Sequence, residues 1–82
     1  MSKYTLKSGK VARVEKLQTM LAGSRGVATA YNVENMAQPF LYRAVWVFES
    51  DKQITSIESF GDIGLTDGEI IEAAHLHHAA MA

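Results

Sequence analysis

The stretch from Phe40 to Glu49 constrains this chain more than any other. Its even positions are Phe40, Tyr42, Ala44, Trp46 and Phe48, and its odd positions include Leu41, Arg43, Val45 and Val47. Aromatic and β-branched residues at this density specify a strand. Successive strand side chains point to opposite faces of a sheet. An antiparallel strand with one wet face alternates apolar with polar residues. This one is apolar on both faces, so both need cover.

The rest of the chain supplies little of it. Eighty-two residues make one domain, 1–82, with no room for a second core. Lys3 to Lys7 alternates around Tyr4 and Leu6, which admits a short first strand. Ser8 then offers an N-cap, and Val11, Val14, Leu17 and Leu21 follow at helical spacing, with Arg13, Glu15, Lys16 and Thr19 around the rest. This predicts a helix over 9–22, stopped by Gly23. A hairpin turning at Ser8-Gly9 is the competing reading. Residues 27–33 alternate as a strand, residues 34–39 connect to the strand at 40–49, and Glu49 to Lys52 turns the chain into a strand over 53–60. Leu65-Thr66-Asp67-Gly68-Glu69-Ile70 carries a capping box (Thr66 with Glu69) and a hydrophobic staple (Leu65 with Ile70), so a helix runs from about Asp67 to the C-terminus.

The expected fold is therefore α+β: a three-stranded antiparallel meander with two helices, in the order (β)αβββα. Two helices can cover one face of the sheet; the other is then closed by a curl of the sheet, by the helices dividing between the faces, or by another polypeptide, most simply a second copy. Contiguous exposed aromatic surface marks an interaction site, and two-fold homodimers are the commonest assemblies. Tyr31, Tyr42, Trp46 and Phe48 are the residues expected to bind a partner, being of the types that anchor interfaces. The functional expectation is a non-enzymatic protein-interaction module, a homodimer through its sheet or docked on another protein. In size and economy it is similar to the small phage-encoded inhibitors of host machinery, which implies a bacterial or phage accessory protein. Val45 to Glu49 with Ile54 to Ile57 resembles the closing hairpin of NTF2-like cone folds, though the chain is too short for the whole cone.

Charge raises an alternative. Net charge is −1, yet residues 1–25 carry +5 and residues 26–82 carry −6. Lys10, Arg13, Lys16 and Arg25 are the candidate nucleic-acid contacts, on the flank of the expected first helix. The order αβββα resembles double-stranded-RNA-binding domains. Those carry a lysine-rich motif where this chain has the acidic Thr66-Asp67-Gly68-Glu69, and the pI of about 6.3 points away from nucleic acid as well.

The histidines raise another. Glu72 and His75 form a Glu-x-x-His pair, and His75, His77 and His78 are clustered. Di-iron bundles need such a pair on two helices plus further carboxylates, so metal binding ranks below a buried, hydrogen-bonded His77 with solvated His75 and His78. No serine sits in a nucleophile elbow, and Gly23-Ser24-Arg25-Gly26 lacks the Lys and Ser/Thr of a phosphate loop. No enzyme activity, cofactor or metal is expected. The absence of cysteine favours a reducing compartment. The N-terminus has no signal-peptide core and no run reaches membrane-spanning length, so a cytoplasmic protein is expected.

Overall fold

The computed structural model describes residues 2–21, 23–38, 41–49, 54–60 and 62–81. Five strands form one antiparallel meander in sequence order: β1 (Ser2–Thr5), β2 (Val11–Leu21), β3 (Val27–Asn35), β4 (Tyr42–Phe48) and β5 (Ile54–Phe60). A 3-10 turn, Gly23–Arg25, joins β2 to β3, and one helix, α1 (Asp67–Met81), follows the sheet. Pro39, Phe40 and residues 50–53, including the expected turn at Ser50 to Lys52, lie outside the described residues.

The expected three-stranded meander with two helices is thus corrected to five strands and one helix. The expected helix over 9–22 is strand β2, and the reason lies in its side-chain phase. Ala12 and Val14 are buried while Val11 and Arg13 are only partly so, which is strand alternation. A β-bulge between Lys16 and Gln18 then shifts the register by one residue. The bulge breaks the two-residue period, so apolar residues at 11, 14, 17 and 21 imitate a helical stripe. The Ser8-Gly9 hairpin is the turn that forms. Gly9 adopts φ 91°, open to glycine at little cost, and its N–H donates to the Leu6 carbonyl at 2.9 Å. Gly23 does take a left-handed φ of 62°, but it opens the 3-10 turn and ends no helix.

Helix α1 forms as its start signals require. Thr66 Oγ1 accepts the Glu69 N–H at 3.2 Å, and the Thr66 N–H donates to Glu69 Oε1 at 2.9 Å. This reciprocal box, with a hydrogen bond from the Ser8 hydroxyl as its largest contributor, holds the Glu69 carboxyl down at about 2. Leu65 and Ile70 are both buried in the core. Removing an N-cap oxygen typically costs about 0.5–2 kcal/mol. Thr66→Ala is expected to lower stability by that amount in a denaturant titration, with no change in the slope of the transition.

The helix buries Ile70, Ala73, Ala74, His77 and His78, spaced i, i+3, i+4, i+7 and i+8. Ala73 and Ala74 have no bulk to hold the helix away from the sheet. Beneath it lie Leu6, Ala12, Val14, Tyr31, Val33, Val45 and Val47, closed at one end by Ile63 and Leu65. The odd-numbered residues of β3 and β4 therefore face α1. Their even-numbered neighbours face away from it.

Candidate interaction surface

On the face away from α1, β4 presents Tyr42, Ala44, Trp46 and Phe48, and β3 presents Ala28, Ala30, Asn32 and Glu34. Ala28 stands opposite Phe48, Ala30 opposite Trp46, Asn32 opposite Ala44 and Glu34 opposite Tyr42. Small residues on one strand beside aromatics on the next leave room for large side chains to lie across the pleat. The burial pattern agrees: Ala28 and Ala30 are 2% and 4% exposed although no described element covers this face. Tyr42 remains 41% exposed and Trp46 half-buried. Met20, opposite Ala28 on β2, extends the apolar area and is also exposed.

The border of this patch is polar. Arg13 and Glu34, directly opposite each other, form an ion pair at 2.8 Å. Glu15 stands opposite Asn32, whose Oδ1 is buried without a hydrogen-bond partner among the described residues. An apolar centre with a charged rim is the anatomy of a protein interface.

Tyr42, Trp46 and Phe48 are brought together here, and Tyr31 is not. Tyr31 is an odd residue of β3, lies under α1 and is 1% exposed. Its hydroxyl donates to His78 Nδ1 at 2.5 Å, and His78 Nε2 lies 3.3 Å from Glu49 Oε1. A carboxylate can only accept, so Nε2 carries a proton, and in the neutral imidazole Nδ1 then accepts the tyrosine's. Alongside, the Tyr4 hydroxyl meets His77 Nδ1 at 2.8 Å. The Tyr31 ring stands edge-on to both imidazoles, with centroids 5.4 and 5.6 Å away. Burial, then the Glu49 charge, pushes the Tyr31 phenol above its ordinary value, which keeps it protonated. Burial also lowers the pKa of His77.

His78 is therefore buried, contrary to the solvated position expected from the helical wheel. The helix presents both His77 and His78 to two tyrosines on different strands. The sequence signal was the i+7, i+8 spacing from Ile70. Beside this cluster, a cavity of about 250 Å³ is lined by Lys16, Thr19, Thr29, Tyr31, Glu49 and His78, among others. Glu72 accepts the backbone N–H of Lys7 at 3.1 Å, and among the described residues no three His, Asp or Glu side chains converge as a metal site.

The basic residues are dispersed. Lys10 sits in the β1–β2 turn, where its amine donates to the Gly64 carbonyl at 2.9 Å and lies 3.5 Å from Glu69. Arg13 is on the aromatic face, paired with Glu34. Lys16 stands opposite Tyr31, on the helix side. Arg25 closes the 3-10 turn at the far end of the hairpin. Because β2 is a strand, the basic flank expected of a helix does not assemble. No helix of the described residues is long and apolar enough to cross a membrane.

No protein-family model, curated protein or solved structure matches this chain.

Proposed function

We propose that this chain is a non-enzymatic protein-interaction module that self-associates, face to face, through the side of its sheet opposite α1. The observation that carries the reading is the exposed Tyr42 and Met20 beside the half-buried Trp46, over Ala28 and Ala30, on a face that no described element covers, with the buried Phe48 closing one end. Five strands about 4.8 Å apart and about 23 Å long present roughly 550 Å² of sheet. Two such faces, fully apposed, bury at most roughly 1,100 Å², close to the 1,000 Å² or so that a specific interface needs. A second copy fits because the partner must offer an apolar centre and a rim of both charge signs, and this face has both. The buried tyrosines and histidines support a structural role, since each is hydrogen-bonded within the core.

Truncating a central aromatic anchor costs about 2 kcal/mol or more of binding, equivalent to roughly 30-fold in affinity. Trp46→Ala is expected to weaken self-association at least that much while the melting transition stays cooperative. Light scattering on a sizing column across a concentration series reads the first, and thermal unfolding the second. A variant that unfolds outright would make Trp46 a core residue and end this reading.

A further inference from the structure

Strand β2 is 11 residues long, but β1 pairs with only its first part, from Val14 back to Val11. From Glu15 to Leu21, β2 has β3 on one side and no described strand on the other. This half-edge carries Leu17, Met20 and Leu21, which are 51%, 50% and 78% exposed. Natural proteins guard a free edge with charges, proline or a bulge. Here the bulge and Lys16 stand at the start of the stretch, and Leu17-Gln18-Thr19-Met20-Leu21 contains no charge and no proline.

The hydrogen-bond phase shows which backbone groups are on offer. The Met36 N–H donates to the Val11 carbonyl, and the Leu6 N–H to the Lys10 carbonyl. In an antiparallel strand, residues alternate in pairing to one side and then the other. Val11, Arg13 and Glu15 therefore bond toward β3, and Ala12, Val14 and Lys16 toward β1. The bulge reverses the phase, so Gln18 and Met20 bond toward β3. The N–H and C=O groups of Thr19 and Leu21 point outward.

We infer that this half-edge of β2 pairs antiparallel with the same half-edge of a second copy, about a two-fold axis at Thr19. The sequence is self-complementary about that point. Thr19 meets Thr19 as a hydrogen-bonded pair, Leu17 meets Leu21, and Gln18 meets Met20. Glu15 and Lys16 fall outside the paired core, so no like charges are opposed. The pairing continues the sheet across two protomers and covers three exposed apolar side chains on each. Its axis runs normal to the sheet, whereas a face-to-face axis lies in the sheet plane. The two contacts use different surfaces and are compatible, and with the two axes intersecting they close an assembly of four 9.0 kDa chains.

Wild type, Leu21→Lys, Trp46→Ala and the double variant are to be compared by light scattering, with amide hydrogen exchange on the wild type and Leu21→Lys. Leu21 is exposed, so Leu21→Lys is expected to keep a cooperative melting transition, lowered only by the stability that association adds. It is also expected to halve the particle mass and to lose the exchange protection of the Thr19 and Leu21 amides. The double variant is expected to be monomeric. An unchanged mass in Leu21→Lys, free exchange at Thr19 and Leu21 in the wild type, or a wild type monomeric throughout the series would overturn the edge contact. Failure of the face contact reads differently, as Trp46→Ala leaving the mass unchanged while Leu21→Lys halves it.

Discussion

Tyr31→Ala is expected to leave most of the chain unfolded at 25 °C, whereas the exposed Tyr42 and the half-buried Trp46 on the opposite face tolerate truncation. Tyr31 is among the largest fully buried side chains, packed edge-on against two imidazoles. Emptying such a site costs about 3–5 kcal/mol. It also strands His78 Nδ1, which now accepts the Tyr31 hydroxyl at 2.5 Å. A buried acceptor left without a donor costs a further 1–3 kcal/mol or so. A domain of 82 residues holds a total of about 4–12 kcal/mol. The loss is comparable to the whole. Tyr31→Phe separates the two contributions: it keeps the ring, removes the hydroxyl, and is expected to cost only the smaller amount. Urea titrations of both variants check this, and a Tyr31→Ala protein as stable as wild type would contradict the placement of this residue in the core.

Tyr31 also shows how far the sequence could be read. Which residues of β4 share a face was legible because the strand keeps an unbroken two-residue period from Tyr42 to Phe48; which of the two faces α1 covers was not, because both are apolar. The last helix was legible because its cap is local: Thr66, Glu69, Leu65 and Ile70 all lie within six residues. Tyr31 stands among the expected partner contacts because aromatic type says nothing of which face a residue occupies. Only the register of β3 against β4 puts it on the side of Val45. The β2 error has a related origin. A bulge is a tertiary adjustment, and one extra residue at Lys16–Gln18 converts strand periodicity into something that imitates a helix. A helical reading of β2 hides the free edge at Leu17 to Leu21 and gathers Lys10, Arg13 and Lys16 on a flank that the strand does not have. The hairpin at Ser8-Gly9 was the local signal for the correct reading, and its weight depended on accepting a bulge that nothing in the sequence announces.

Acidification from neutral pH is expected to destabilise the fold in two separate steps, the first of which belongs to His77. This imidazole is buried between α1 and the sheet, and its pKa is lowered from the ordinary 6.5 by burial first and then by the N-terminal charge. Between the lowered folded value and 6.5, the unfolded chain holds a proton that the folded chain lacks, so added protons favour unfolding. The stability is fully present above 6.5 and is lost as pH falls through the folded value. One proton gives a slope of at most about 1.4 kcal/mol per pH unit, which for a domain of this size lowers the melting temperature by roughly 5–10 °C per unit. The groups facing the two histidines are Tyr4 on β1, Lys16 on β2, Tyr31 on β3 and Glu49 after β4. The second step belongs to Glu69, whose carboxyl is held at about 2 against an ordinary 4.5, so its contribution persists until pH falls below 4.5. The two windows do not overlap at their upper ends, which lets one variant isolate the first. Replacing His77 by leucine and Tyr4 by phenylalanine together removes the imidazole and its hydroxyl partner without stranding either. Apolar replacement of both members of a buried pair is often close to neutral at pH 7. The double variant is expected to melt near the wild-type temperature at pH 7.5 and to stay flat between pH 6.5 and 4.5, where the wild type falls. An equal fall in both proteins would assign the acid sensitivity to a group other than His77.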